Sequence, residues 1–202
     1  MEKIIVIDNY DSFTYNLVHA IEKLTGSLPD VFRNDEISLE DAGRYNRIVI
    51  SPGPGIPSEA GICQDLLRRW APERSILGIC LGHQAICEAF GGRLINLSSV
   101  YHGVSAPVRI KDPDEPLFKG LPSIFMAGRY HSWVASRKHL PDCFRITCED
   151  ENGMIMGISH KEYDLRGLQF HPESVMTEHG LDIIRNWLNI PVKKSGELSS
   201  IN

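Results

Sequence analysis

The sequence has 202 residues, 42% of them hydrophobic and 23% charged, with a formal net charge of −5, a length and balance suited to one globular domain with its own core. The acidic balance, and basic runs no longer than Arg68-Arg69 or Lys193-Lys194, argue against a nucleic-acid surface. Met1-Glu2-Lys3 runs into an apolar stretch without a signal-peptide profile, no apolar run reaches membrane-spanning length, and the five cysteines form no CxxC pair, so free thiols in a reducing cytoplasm are expected.

In chain order, residues 3–8 (KIIVID) are a near-continuous apolar run, the pattern of a strand covered on both faces. Asp11 or Ser12 is placed to cap a helix in which Leu17, Val18, Ile21 and Leu24 recur at helical spacing, and Gly26 ends it. Strands are expected at 30–33 and 47–50, then a helix over 59–70 with Leu66, Leu67 and Trp70 on one side. A strand over 75–79, a helix over 82–90 and a short strand at 93–96 follow. Alternating strands and helices imply a parallel sheet with helices on both faces, whose site lies at the carboxyl ends of the strands.

The second half changes character. Residues 104–110, 123–129 and 144–148 are strand-like between Pro- and Gly-rich turns, and Glu151-Asn152-Gly153 marks a hairpin. A further strand over 165–170 and a closing helix over 178–188 complete the pattern. The expected architecture is α/β, a mostly parallel central sheet with helices on both faces plus a smaller antiparallel β portion in the second half. One domain spans 1–190, and a polar tail occupies 191–202.

Four stretches bear on chemistry. Gly78-Ile79-Cys80-Leu81-Gly82 lies between the 75–79 strand and the following helix, which is the setting of a nucleophile elbow with Cys as nucleophile. Small flanking residues let strand and helix cross closely around a strained turn. The N–H groups at the helix start favour a thiolate, and the Leu81 N–H is placed to stabilise an oxyanion. A buried structural cysteine in a Gly-flanked turn is the plainer alternative. Ser51-Pro52-Gly53-Pro54-Gly55 follows the 47–50 strand and can present backbone N–H groups to an anion, although Pro-Gly pairs more often mark ordinary turns. Without the Lys-Ser/Thr of a P-loop it is not a nucleotide site.

In Gln169-Phe170-His171-Pro172-Glu173, Pro172 biases His171 toward extended backbone, where residues two apart share a side. Glu173 can then orient the His171 imidazole, as in a triad with Cys80; a solvated His beside a surface Glu is the bland alternative. Arg129-Tyr130-His131-Ser132-Trp133 either lines a pocket or covers a sheet edge.

Together the sequences GICLGHQ, SPGPG, YHS and HPES, in their order and spacing, resemble the class I glutamine amidotransferase domain from Lys3 to about Asn189. The stretches 8–16 (DNYDSFTYN) and 173–180 (ESVMTEHG) look like those of the glutaminase subunits of anthranilate synthase and aminodeoxychorismate synthase. The resemblance implies a flavodoxin-like fold and glutamine hydrolysis through a γ-glutamyl thioester on Cys80, with His171 as base and acid and Glu173 orienting it. It further implies an oxyanion hole from the N–H groups of Gly53 and Leu81, and a glutamine site formed by Gly53, Pro54, Gly55, Gln84 and the backbone of Ser132 and Trp133.

His83 matches a non-catalytic position and is read as structural. With no evident chorismate site in the chain, ammonia is expected to pass to a separate large chorismate-binding subunit, of anthranilate synthase (tryptophan biosynthesis) in the first instance. No metal and no cofactor are expected. Trp133 stands where many relatives have Leu, and Val104 replaces a commonly basic residue.

The remaining residues invite plainer readings. Cys87, Met154 and Met156 suit core packing, and Cys63, Cys143 and Cys148 lack metal-ligand spacing. Two competing functions stay in view: a stand-alone thiol amidase, against which Gln84 and the YHS stretch argue, and a silent regulatory subunit, which has no need to retain Cys80, His171 and Glu173.

Overall fold

The computed structural model of the chain describes residues 2–98 and 100–192; the expected polar tail lies, from residue 193 on, outside them. Strands β1 (Ile4–Asp8), β2 (Asp30–Arg33), β3 (Arg47–Ile50) and β4 (Ser75–Ile79) pair in parallel in the order β2-β1-β3-β4. Their connections carry α1 (Thr14–Thr25), the short α2 (Leu39–Ala42) and α3 (Cys63–Trp70). Helix α4 (Leu81–Ala89) leaves β4 directly, and β5 (Leu94–Asn96) follows.

The second half contributes β6 (Val104–Ile110), β7 (Ile124–Arg129), β8 (Trp133–Ala135), β9 (Phe144–Asp150), β10 (Ile155–His160), β11 (Leu165–Leu168) and α5 (Gly180–Leu188). Nine of the strands form one sheet in the order β2-β1-β3-β4-β11-β10-β9-β6-β7, while β5 and β8 make a separate antiparallel pair. β11 is the seam, being parallel to β4 on one side and antiparallel to β10 on the other.

Alternation along β1, β3 and β4 explains why their central residues are apolar. Val6, Val49, Leu77 and Ile79 face Leu17, Val18 and Ile21 of α1 and Ile183, Ile184 and Trp187 of α5, all buried. Ile5, Ile7, Ile48, Ile50 and Ile76 face the other way, onto Leu66 and Leu67 of α3 and Ala85 and Ile86 of α4. With both faces covered, the middle positions of β1, β3 and β4 are left to apolar side chains; the buried Arg47 and Ser75 stand at the starts of β3 and β4, where Arg47 donates to the Trp187 and Ile190 carbonyls. Each fully buried aliphatic side chain contributes about 1.5–3 kcal/mol before entropy is counted. Met156 is fully buried in the first of these clusters, with Met154 packed against it, and Cys87 belongs to the second.

Local differences from the expected boundaries have local causes. The helix expected from residue 59 begins at Cys63, because Pro57–Glu59 form a 3-10 turn and Gly61 takes φ +50°, which lets the Ile62 N–H reach the Asn34 carbonyl. α1 begins at Thr14 with Phe13, not Asp11 or Ser12, as its N-cap. The Asp11 carboxylate instead accepts from the Phe13 N–H (2.7 Å), and that of Asp8 from the Thr14 hydroxyl (2.7 Å). α5 begins at Gly180, two residues later than expected, after His179 in a left-handed conformation. The strand expected over 165–170 stops at Leu168, although the Gln169 N–H still donates to the Met156 carbonyl (2.9 Å).

Candidate active site

Register gathers the chemistry. β4 and β11 align Ile79 with Leu168, so the next residues, Cys80 and Gln169, emerge side by side; the Cys80 N–H still reaches the Leu168 carbonyl (2.7 Å). On the other side Gly78 aligns with Ile50 and Ile50 with Ile7, which brings Ser51 and Asn9 to the same edge.

Cys80 turns sharply, at φ 52° and ψ −99°, in a region that L side chains rarely enter. The turn needs its glycines. A Cβ on Gly78 would lie 2.6 Å from the Gly82 carbonyl, and one on Gly82 would lie 2.5 Å from that of Ile50. α4 starts at Leu81, so the Leu81 N–H is among the first-turn donors without an intrahelical acceptor. The loop after β3 packs against this turn: a Cβ on Gly53 would stand 2.8 Å from the Leu81 side chain and 2.5 Å from Asn9 Cβ. Gly53 thus packs against the Leu81 side chain beside the nucleophile.

Asn9, not singled out in the sequence for chemistry, anchors that loop. Its N–H donates to the Ser51 hydroxyl (2.9 Å) and its Nδ2 to the Ser51 carbonyl (2.8 Å), while its Oδ1 accepts from Asn34 (2.8 Å) and from the Cys63 thiol (3.3 Å). A cleft of about 530 Å³ opens beside it, lined by Tyr10, Asp35, Pro54, Gly55 and Leu81 among others.

His171 stands beyond the end of β11 and is held on every side. Its Nδ1 pairs with Glu173 Oε1 at 2.7 Å, its N–H donates to the Gly128 carbonyl, and its carbonyl accepts from the Thr177 hydroxyl. The rings of Tyr130 and Phe13 wall the imidazole at 4.8 and 5.6 Å between centroids. Since Glu173 accepts the Nδ1 proton, Nε2 is the exchangeable position, and it has no hydrogen-bond partner among the described residues. Burial alone pulls the imidazole pKa down; the adjoining Cys80 sulfur and the Glu173 carboxylate outweigh it and raise it to about 10. The imidazolium form of His171 is thus favoured beside Cys80 and Glu173.

The stretch 129–133 lines the site instead of covering a sheet edge. Tyr130 reaches His171, and the carbonyls of Ser132 and Trp133 accept from the Leu97 N–H (2.7 Å) and from Gln84 Nε2 (2.9 Å). Behind it Arg129 forms a buried ion pair with Asp150 at 2.7 Å, lies over the Tyr101 ring and donates to His131 Nε2. Burial, with the Arg129 charge, holds His131 neutral, with a pKa lowered to about 3.

His83 lies fully buried over Gly167 of β11 and is likewise held neutral by burial, with a pKa lowered to about 4. Cys63 and Cys87 are pushed up to about 12 by burial and Cys148 is also raised, as suits unreactive thiols. Among the described residues no group of three or more His, Cys, Asp or Glu side chains could hold a metal ion, and no helix is long and apolar enough to cross a membrane.

The family model for class I glutamine amidotransferases matches residues 5–190. The chain belongs to the class I glutamine amidotransferases. The amidotransferase is 46% identical to aminodeoxychorismate synthase component 2 of Escherichia coli over 92% of this chain and 99% of that one. It is equally 46% identical to anthranilate synthase component 2 of Azospirillum brasilense, over 92% and 95%. It also matches the bifunctional protein TrpGD of Thermotoga maritima at 46% identity, over its whole length but only 35% of that relative. Among solved structures, a glutamine amidotransferase from Thermotoga maritima superposes with a TM-score of 0.74 at 16% identity, over 93% of this chain and 96% of that one, a likeness of fold alone.

Proposed function

We propose that this amidotransferase hydrolyses L-glutamine at Cys80 and passes the ammonia to a separate chorismate-binding synthase subunit, with anthranilate as the product. The observation that carries the chemistry is the Cys80–His171–Glu173 constellation, with Nδ1 of His171 on Glu173 at 2.7 Å and Nε2 left for proton transfer. The Cys80 thiolate attacks the carboxamide carbon of glutamine, and the N–H groups of Gly53 and Leu81 stabilise the oxyanion. His171 Nε2–H protonates the departing nitrogen, so that ammonia leaves and the γ-glutamyl thioester remains. Water then attacks the thioester while His171 takes its proton, and glutamate leaves as Cys80 is regenerated. Glu173 holds the tautomer and supports the imidazolium throughout. Gln84 and the backbone of Ser132 and Trp133 hold the amino acid end of the substrate, and the loop from Gly53 to Gly55 walls the pocket.

The partner reading rests on the relatives. Two of them, named for anthranilate synthase and aminodeoxychorismate synthase, are each 46% identical, so the second synthase is a specific competing reading. Reconstitution separates them: the purified chain is mixed with the large subunit of each enzyme, glutamine and chorismate are added, and the product is identified. Anthranilate alone supports the proposal, aminodeoxychorismate alone moves the chain to the other synthase, and both products mean a shared subunit.

A further inference from the structure

Gln169 is fully buried and lies between two residues that the proposed mechanism uses separately. Its Nε2 is 3.6 Å from Cys80 Sγ, and its Oε1 accepts from Gln84 Nε2 at 3.3 Å. The second N–H of Gln84 goes to the Trp133 carbonyl at 2.9 Å. A backbone carbonyl only accepts, so the chain of contacts fixes both amide orientations. Gln84 must turn its nitrogen to Trp133 and Gln169, and Gln169 must then turn its own nitrogen to the sulfur. Among the described residues this leaves Gln84 Oε1 as the acceptor of that side chain with no hydrogen bond given to it, suited to an ammonium donor.

Resting on the glutaminase reading, we infer that Gln169 is a catalytic residue: its Nε2–H holds the Cys80 sulfur as thiolate, and Gln84 keeps that donor aimed from the subsite that receives the substrate's α-ammonium. A sulfur bearing charge accepts this bond more strongly than a neutral thiol does, so the contact selects the reactive form. β11 makes it possible. The strand stops at Leu168, one residue before Gln169, and its register sets Gln169 opposite Cys80. The other titratable groups gathered here are His171 with Glu173, and His83 and His131, both kept neutral by burial. Gln169 is thus an uncharged donor to the sulfur that does not lose its proton as pH rises.

The test reads the sulfur directly. Full-length wild type, Gln169→Met and Gln169→Glu are alkylated with iodoacetamide across pH, and Cys80 labelling is followed by peptide mass with half-buried Cys143 as internal control. Both variants are expected to move the Cys80 midpoint up by about one pH unit, to leave that of Cys143 in place, and to lower glutamine kcat at least tenfold. The Glu variant keeps the volume and the acceptor for Gln84, so it stands in if the Met variant does not fold. A Cys80 midpoint unchanged in a folded variant would overturn the inference while wild type hydrolyses glutamine and Cys80→Ala does not. Hydrolysis surviving in Cys80→Ala would instead overturn the glutaminase reading, and this inference with it.

Discussion

The parallel strands β1, β3, β4 and β11 finish along one edge, and within three residues of their ends come Asn9, Ser51, Cys80, Gln169 and His171. The antiparallel strands β6, β7, β9 and β10 run alternately up and down, so no single edge can collect their carboxyl ends. Their contribution is a wall: Gly128 and Tyr130 against His171, and behind them the buried Arg129–Asp150 pair. One half presents groups that react, and the other holds them still. Substitutions in the two halves should accordingly fail in different ways.

The largest effect is expected from Cys80→Ala, which should lower glutamine-dependent synthesis in the reconstituted complex by at least about 10⁴-fold and leave ammonia-dependent synthesis intact. Glutamine use surviving that change would remove Cys80 from the mechanism. Glu173→Gln should cost about 10²–10⁴ in kcat, because the His171 tautomer is no longer held; an unchanged kcat would reduce Glu173 to a bystander.

On the antiparallel side, Asp150→Asn should act through stability. It leaves the Arg129 guanidinium buried without its counter-charge, a loss of about 3–5 kcal/mol measurable by urea unfolding. The pH profile of the remaining folded enzyme should match wild type. A shifted profile without lost stability would break the division of labour between the halves.

The smallest effect lies in the pH dependence of folding, where the buried histidines pull in opposite directions. His83 and His131 have folded pKa values near 4 and 3, below the ordinary 6.5. Between pH 6.5 and 4 the unfolded chain therefore binds protons that the folded chain refuses, and stability falls as pH falls, by up to about 1.4 kcal/mol per pH unit for each histidine. His171, raised to about 10, contributes stability that is complete below pH 6.5 and is lost as pH rises through 10. His83→Gln should make the acid limb shallower by about 1.4 kcal/mol per pH unit in unfolding measurements, and His171→Gln should flatten the alkaline limb. An acid limb unchanged by His83→Gln would show that another group governs it.

The parallel half was legible because its signals are local. Apolar runs such as RIVI mark doubly covered strands, and the paired glycines about Cys80 announce a close crossing that the 2.5–2.6 Å approaches bear out. The architecture of a mostly parallel sheet with an antiparallel addition was legible too. The place of β11 was not, since its pairing with β4 joins residues about ninety apart, and neither its local pattern nor its length says which strand it will meet. The separate β5–β8 pair was missed for the same reason. At the site, Cys80, His171 and Glu173 stood out by residue type and spacing. Asn9 and Gln169 did not, because a carboxamide shows its use only once its partners are placed about it.

The seam at β11 also sets a clock. Cys80 and its neighbour Gln169 are 89 residues apart in sequence, and His171 lies two residues further on. At about 5–20 residues per second of synthesis, a growing chain carries its nucleophile for about 5–18 s before the base exists to activate it. Through that interval the nascent polypeptide holds an unassisted thiol, unable to start on glutamine or to strand itself as an acyl adduct.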